Sequence, residues 1–185
     1  MEPSPGPDAP MHSAVLVAVP EAEPVVARHR ARLDRAAAEG VPAHVTVMYP
    51  FVAPPAITQA EISLLASAVG SIAAFGCNFR RTGWFEDRVL WLAPEPDGPF
   101  RALTDAVTAA FPGYLPYGGV FSSILPHLTV GDQPEGGPDE LRAAEADVLP
   151  ALPISARISQ AWLMTGGAAA GSWRPIATLP LGISG

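Results

Sequence analysis

One short pattern occurs twice in the chain, as His44-Val45-Thr46-Val47 and again as His127-Leu128-Thr129-Val130. Both copies alternate polar and aliphatic residues, the period of a strand with one buried face. His44 and Thr46 therefore share one face while Val45 and Val47 take the other. His127 and Thr129 stand in the same way against Leu128 and Val130. The surroundings recur as well. In the first half, Val15, Val17 and Val19 mark a buried strand. A helix is predicted from Pro24 to Ala38, stopped by Gly40, followed by a strand over His44–Tyr49 that Pro50, Pro54 and Pro55 break. Thr58 and Glu61 have capping-box spacing and open a helix with Ile62, Leu65 and Val69 on its apolar stripe. A strand over Phe75–Phe85 then turns at Glu86-Asp87 into a partner over Arg88–Leu92. The second half continues with a helix from near Pro99 bearing Leu103, Ala106, Val107 and Ala110, then a strand over Ile124–Val130. A helix from Pro138 through Leu141 and Ala144 to Val148 follows, then a strand over Ile154–Met164, a Gly/Ala turn and a last strand over Trp173–Leu181.

Each half thus reads strand, helix, motif strand, helix, strand. Mixed helices and hairpin-linked strands predict an α+β fold, one cooperative unit of two lobes; if the halves pack around a pseudo-two-fold axis, the two motif faces line one cleft. The expected organisation is a loose tail over residues 1–12 and one bilobal domain over 13–185, with repeats at about 13–87 and 88–183. A chain of 185 residues with 49% hydrophobic content can bury such a core. All 11 basic residues are arginine, set against 18 acids for a net charge of −7. That balance excludes a protein relying on counterion release from a long duplex, but not a small anionic ligand. Cys77 is the single cysteine, so no internal disulfide or multi-cysteine metal site is possible, and its alternation with Phe75 and Phe79 predicts burial. The Ala14–Val19 run is too short to cross a membrane. A cytoplasmic, monomeric protein is expected, and the lysine-free, Ala/Pro/Arg-rich composition suggests a high-GC bacterial source.

Two imidazoles facing each other beside two hydroxyls suit in-line phosphoryl chemistry. One ring takes a proton from the attacking oxygen, the other gives one to the leaving oxygen, and the hydroxyls hold the nonbridging oxygens. An ordinary pKa near 6.5 suits histidine to both tasks. A lone His-x-Thr would be a packing residue on a strand. Two copies on aliphatic-backed strands at matching places in a repeated order point to a site. No metal is expected, because two histidines are too few ligands and Asp132 is the one carboxylate near either motif. Dinucleotide and P-loop fingerprints are absent from the sequence.

The chain resembles the two-histidine phosphoesterases, in particular the bacterial 2′,5′-RNA ligase-like RNA 2′,3′-cyclic phosphodiesterases. Both His-x-Thr-x-hydrophobic motifs carry the resemblance, together with HVTVMYPF (44–51), GWFEDRVLWLAPEP (83–96), the run 100–112, PYGGVFSSILPHLTVG (116–131) and WRPIATLPLG (173–182). It implies a bilobal α+β fold, two pseudo-two-fold-related lobes of antiparallel sheet plus helices around a central cleft, and a metal- and cofactor-independent phosphodiesterase with His44, Thr46, His127 and Thr129 as catalytic residues. The implied partner is a small nucleotide or short RNA end carrying a 2′,3′-cyclic or 2′,5′ phosphodiester. It also inclines His127 to base and His44 to acid; the symmetry of the motifs leaves the exchange of roles open. Two alternatives are the same histidine pair acting on a non-nucleotide substrate, and a nucleotide-binding module with vestigial activity. Tyr49, Phe51, Arg88, Tyr117 and Phe121 are candidate substrate contacts, although Tyr49 has the parity of the core residues Val45 and Val47. The four tryptophans are expected in the core, and His29, within RHRAR on a helix, on the solvent face.

Overall fold

The computed structural model describes residues 11–120 and 124–183. Among the described residues, eight strands form one antiparallel sheet: β1 (His12–Ala18), β2 (His44–Met48), β3 (Phe75–Phe85), β4 (Val89–Glu95), β5 (Leu128–Asp132), β6 (Ile154–Ile158), β7 (Gln160–Gly166) and β8 (Arg174–Pro180). Their spatial order is β6-β3-β4-β5-β2-β1-β7-β8. The helices are α1 (Glu23–Leu33), α2 (Arg35–Ala38), α3 (Gln59–Gly70), α4 (Gly98–Ala110) and α5 (Pro138–Val148). The sheet curls, and the fold is the expected bilobal α+β type.

The motif strands β2 and β5 meet at the centre of the sheet, flanked by β1 and β4 in turn. Beyond them the repeats exchange strands. β3 lies beside β4 of the second repeat, and β7 lies beside β1 of the first. The helices cross over too: α1 follows β1 but packs on β5, and α4 follows β4 but packs on β2. Neither lobe can therefore bury its own sheet face without the other repeat. One continuous core results, including Leu65, Phe79, Leu90, Phe100, Leu128 and Leu141, all essentially inaccessible.

The capping box at Thr58 and Glu61 forms as the spacing predicts, and Cys77 is buried. Other expectations need correction. The helix predicted over 24–38 breaks at Asp34, whose backbone is extended and whose Oδ1 accepts from the Ala36 N–H at 3.0 Å, capping α2. The strand predicted over 124–130 begins only at Leu128, because Pro126 has no N–H to donate and the Ile124 carbonyl accepts from Arg101 instead. The strand predicted over 154–164 is two strands, since the chain crosses at Ser159 from the β3 edge to β1. His29 is buried, not exposed: α5 packs against α1, and its Nε2 accepts from Arg28 Nε at 3.1 Å.

Candidate active site

β2 and β5 are joined by one registered pair, Val45 opposite Leu128. Continued by one residue either way, that antiparallel register sets His44 across from Thr129 and Thr46 across from His127. The two histidines are then diagonal neighbours, on the order of 7–8 Å apart along the backbone, a span that admits a phosphate between their rings. Both rings border one cavity of about 310 Å³, together with Thr46 and Thr129. A second cavity of about 690 Å³ adjoins it on the His127 side, sharing Tyr117, His127, Thr129 and Asp132.

The two imidazoles are anchored identically. His44 Nδ1 lies 2.7 Å from the Pro42 carbonyl, and His127 Nδ1 lies 2.7 Å from the Leu125 carbonyl. A carbonyl only accepts, so each Nδ1 carries the hydrogen and each neutral ring keeps a bare Nε2 for chemistry. Their electrostatic surroundings differ. Burial is the main cause that lowers His44, to about 4; the nearby Arg30 guanidinium adds to it, as does His127, while the Pro42 carbonyl opposes. Burial also lowers His127, but the Leu125 carbonyl and the Asp132 carboxylate pull it back up. Arg30 is itself buried, held by Asp34 at 2.9 Å and by the Val41 carbonyl. Phe85 stands edge-on to the His127 ring, with centroids 4.9 Å apart, and Trp91 lies behind it at 6.0 Å.

Strict alternation fails just past each motif, at matching places. Leu16 pairs with Thr46 but Val15 with Met48, leaving Val47 as an extra residue. Trp91 pairs with Thr129 but Leu90 with Gly131, leaving Val130 extra. Each bulge buries two consecutive residues, Val47-Met48 and Val130-Gly131, and turns the next side chain back to the cleft. Tyr49 and Asp132, each five residues past its histidine, therefore line the cavity. Parity alone would have buried both. The bulge brings Tyr49 to the edge of the cleft, where it still packs beside Trp173 and the smaller core cluster as its parity predicts, and it turns Asp132 towards the same cavity.

The remaining candidates separate cleanly. Tyr117 borders both cavities, its hydroxyl hydrogen-bonded to Thr46 and its N–H donating to the Tyr49 carbonyl at 2.6 Å. Its phenol, not its ring face, therefore meets the motif. Burial raises its pKa, so it stays protonated. Arg88 lines the outer cavity and donates to the Gln133 side-chain oxygen. Phe51 does not reach the cleft: it is 5% exposed and packs against Phe111 and Tyr114 in the core. Phe121 lies outside the described residues. Trp84 and Trp173 line the outer and inner cavities respectively, where only core packing was expected. No group of three His, Cys, Asp or Glu among the described residues could hold a metal ion, and none of the helices described is long and apolar enough to cross a membrane.

Comparison with solved structures finds the same fold in LigT of E. coli in complex with 3′-AMP, at 19% identity over 94% of this chain and 99% of that one, with a TM-score of 0.57. TT0787 of Thermus thermophilus matches at 16% identity over 95% and 100% of the two chains, with a TM-score of 0.68. A crystal structure described as a phosphoesterase matches at 18% identity over 94% and 99%, with a TM-score of 0.56. No curated protein matches. The 2′-5′ RNA ligase superfamily model matches residues 18–169, most of the chain and both motifs, and with the paired-histidine cleft it shows that this protein belongs to that superfamily, among the two-histidine phosphoesterases.

Proposed function

We propose that the protein is a metal-independent phosphodiesterase that hydrolyses 2′,3′-cyclic or 2′,5′-linked nucleotide phosphodiesters. The observation that carries this reading is the pair of imidazoles with matching Nδ1 anchors, both bordering one cavity with two threonine hydroxyls. LigT, which shares the fold, has been solved with 3′-AMP, NADP+ and ATP, which supports a nucleotide as the ligand here.

In the cyclic case, water adds to phosphorus and one ribose oxygen–phosphorus bond breaks, opening the ring to a monoester. The base ring takes the proton of the water, and the acid ring gives one to the departing ribose oxygen. Thr46 and Thr129 donate to the nonbridging oxygens, where charge builds up. In the free protein burial holds both rings below their ordinary value, so at neutral pH neither keeps a proton without help. The anionic substrate provides that help, since an opposite charge favours the imidazolium. His127, with Asp132 beside it and no buried guanidinium, gains the proton more readily than His44. These surroundings support His127 as acid and His44 as base, the reverse of what the resemblance implies.

A panel of 2′,3′-cyclic nucleotides, 2′,5′-linked dinucleotides and cyclic dinucleotides tests the function. Turnover of at least one of the first two classes by wild type, and none by the His44→Ala/His127→Ala protein, is expected. Binding without turnover by wild type would leave a nucleotide-binding module, and inertness to every nucleotide would leave a non-nucleotide substrate.

A further inference from the structure

Cleft charge limits what can bind beside the reacting phosphate. Four carboxylates line the two adjoining cavities. Two are neutralised in place: Asp34 by Arg30 at 2.9 Å, and Glu39 by Arg35 at 2.7 Å. Asp132 and Glu86 are not. Asp132 borders both cavities and accepts from the Gln133 side-chain amide at 3.2 Å, a neutral donor that leaves its charge in place. Glu86, in the turn between β3 and β4, has no ion pair among the described residues. Arg88 is the one cationic side chain among the described residues lining either cavity, and it is tied to the Gln133 side-chain oxygen. Before substrate brings a proton to His127, the cleft therefore offers two carboxylates without a salt bridge for one guanidinium, in a chain with no lysine.

Such a lining tolerates one phosphodiester between the histidines, where two hydroxyls and an imidazolium face it. It penalises a second, because a neighbouring nucleotide's phosphate enters Coulomb range of the exposed carboxylates Asp132 and Glu86. An acceptor at Asp132 instead suits a hydroxyl or amine donor of an uncharged ribose or base. The joined cavities also lie in the size range of a single small ligand.

We propose that the site selects a phosphodiester carrying a single negative charge, a cyclic mononucleotide and not the cyclic end of an RNA strand, with Asp132 and Glu86 as the residues that exclude further phosphates. The inference rests on the phosphodiesterase reading, deepens it, and can be tested apart from it. The ligands are a nucleoside 2′,3′-cyclic monophosphate and the di- and trinucleotides ending in the same cyclic group. Kd is measured for each on the inactive His44→Ala protein, and kcat/KM on wild type. Each added phosphodiester is expected to weaken binding and lower kcat/KM by about two- to fivefold, the scale of repulsion between water-screened charges. Added salt should shrink that gap by screening the repulsion, the opposite of the usual loss of nucleic-acid affinity with salt. The gap should also narrow in Asp132→Asn and Glu86→Gln proteins. Because it is a ratio between substrates, any effect of Asp132 on His127 cancels. Equal or tighter binding of the longer ligands, or a gap that ignores both substitutions, overturns the proposal. A binding gap without turnover of any ligand would uphold it while sinking the hydrolytic reading.

Discussion

Replacing His44 by glutamine should flatten part of the acid limb of the protein's stability curve. A histidine held at about 4 in the folded protein and near 6.5 when unfolded resists protonation only in the native state. Between those values the unfolded chain binds more protons, so stability rises with pH there. The stabilisation is present above pH 6.5, drains as pH falls towards 4, and stays lost below it. At 1.36 kcal/mol for each decade, the displacement sets a ceiling of about 3 kcal/mol. The ring is only half-buried, so solvent screening brings the expected share to roughly 1–2 kcal/mol. Urea denaturation at about pH 7 and about pH 4.5 measures it: wild type should lose that much more stability than His44→Gln over the interval. His29 and His127, also lowered by burial, contribute a slope common to both proteins. Equal losses in the two proteins would refute the claim that His44 is kept neutral by its site.

Three further outcomes follow from the geometry. With an activated leaving group that needs no acid, His127→Ala should recover much of its lost rate and His44→Ala should not; the opposite pattern would restore the assignment implied by the resemblance. Tyr117→Phe removes one hydrogen bond to Thr46, worth about 0.5–1.5 kcal/mol, and should lower kcat/KM by roughly two- to tenfold in wild type but not in a Thr46→Val background; additive losses would mean that Tyr117 acts elsewhere. Gly131→Ala would place a Cβ 2.5 Å from Leu141 Cδ2 and 2.9 Å from Leu33 Cβ, so about 1–3 kcal/mol of destabilisation is expected, whereas Gly76→Ala, with open space around it, should shift Tm little.

Local periodicity made the strands, most helices and the pairing of His with Thr legible, because those features depend on near neighbours along the chain. Features set by distant partners were not. No local signal says that β6 and β7 belong to opposite sides of the sheet, or that α1 covers the strand of the other motif. The bulges at Val47 and Val130 arise from register against β1 and β4, and they decide that Tyr49 and Asp132 face the cleft. Phe51 has the aromatic character of a stacking residue, but the neighbouring Phe111 and Tyr114 make it core. Asp34 had a legible signal, an N-cap residue within a predicted helix, that the Ala- and Arg-rich run around it obscured.

Initial rates of 2′,3′-cyclic nucleotide hydrolysis in excess EDTA, for wild type, His44→Ala and His127→Ala, test the paired-histidine mechanism most directly. Paired imidazoles that supply all the proton transfer predict an undiminished wild-type rate and a loss on the order of 10²–10⁴ in each variant. A wild-type rate abolished by chelator and restored by one divalent ion, or a single-histidine variant that keeps the full rate, would contradict it.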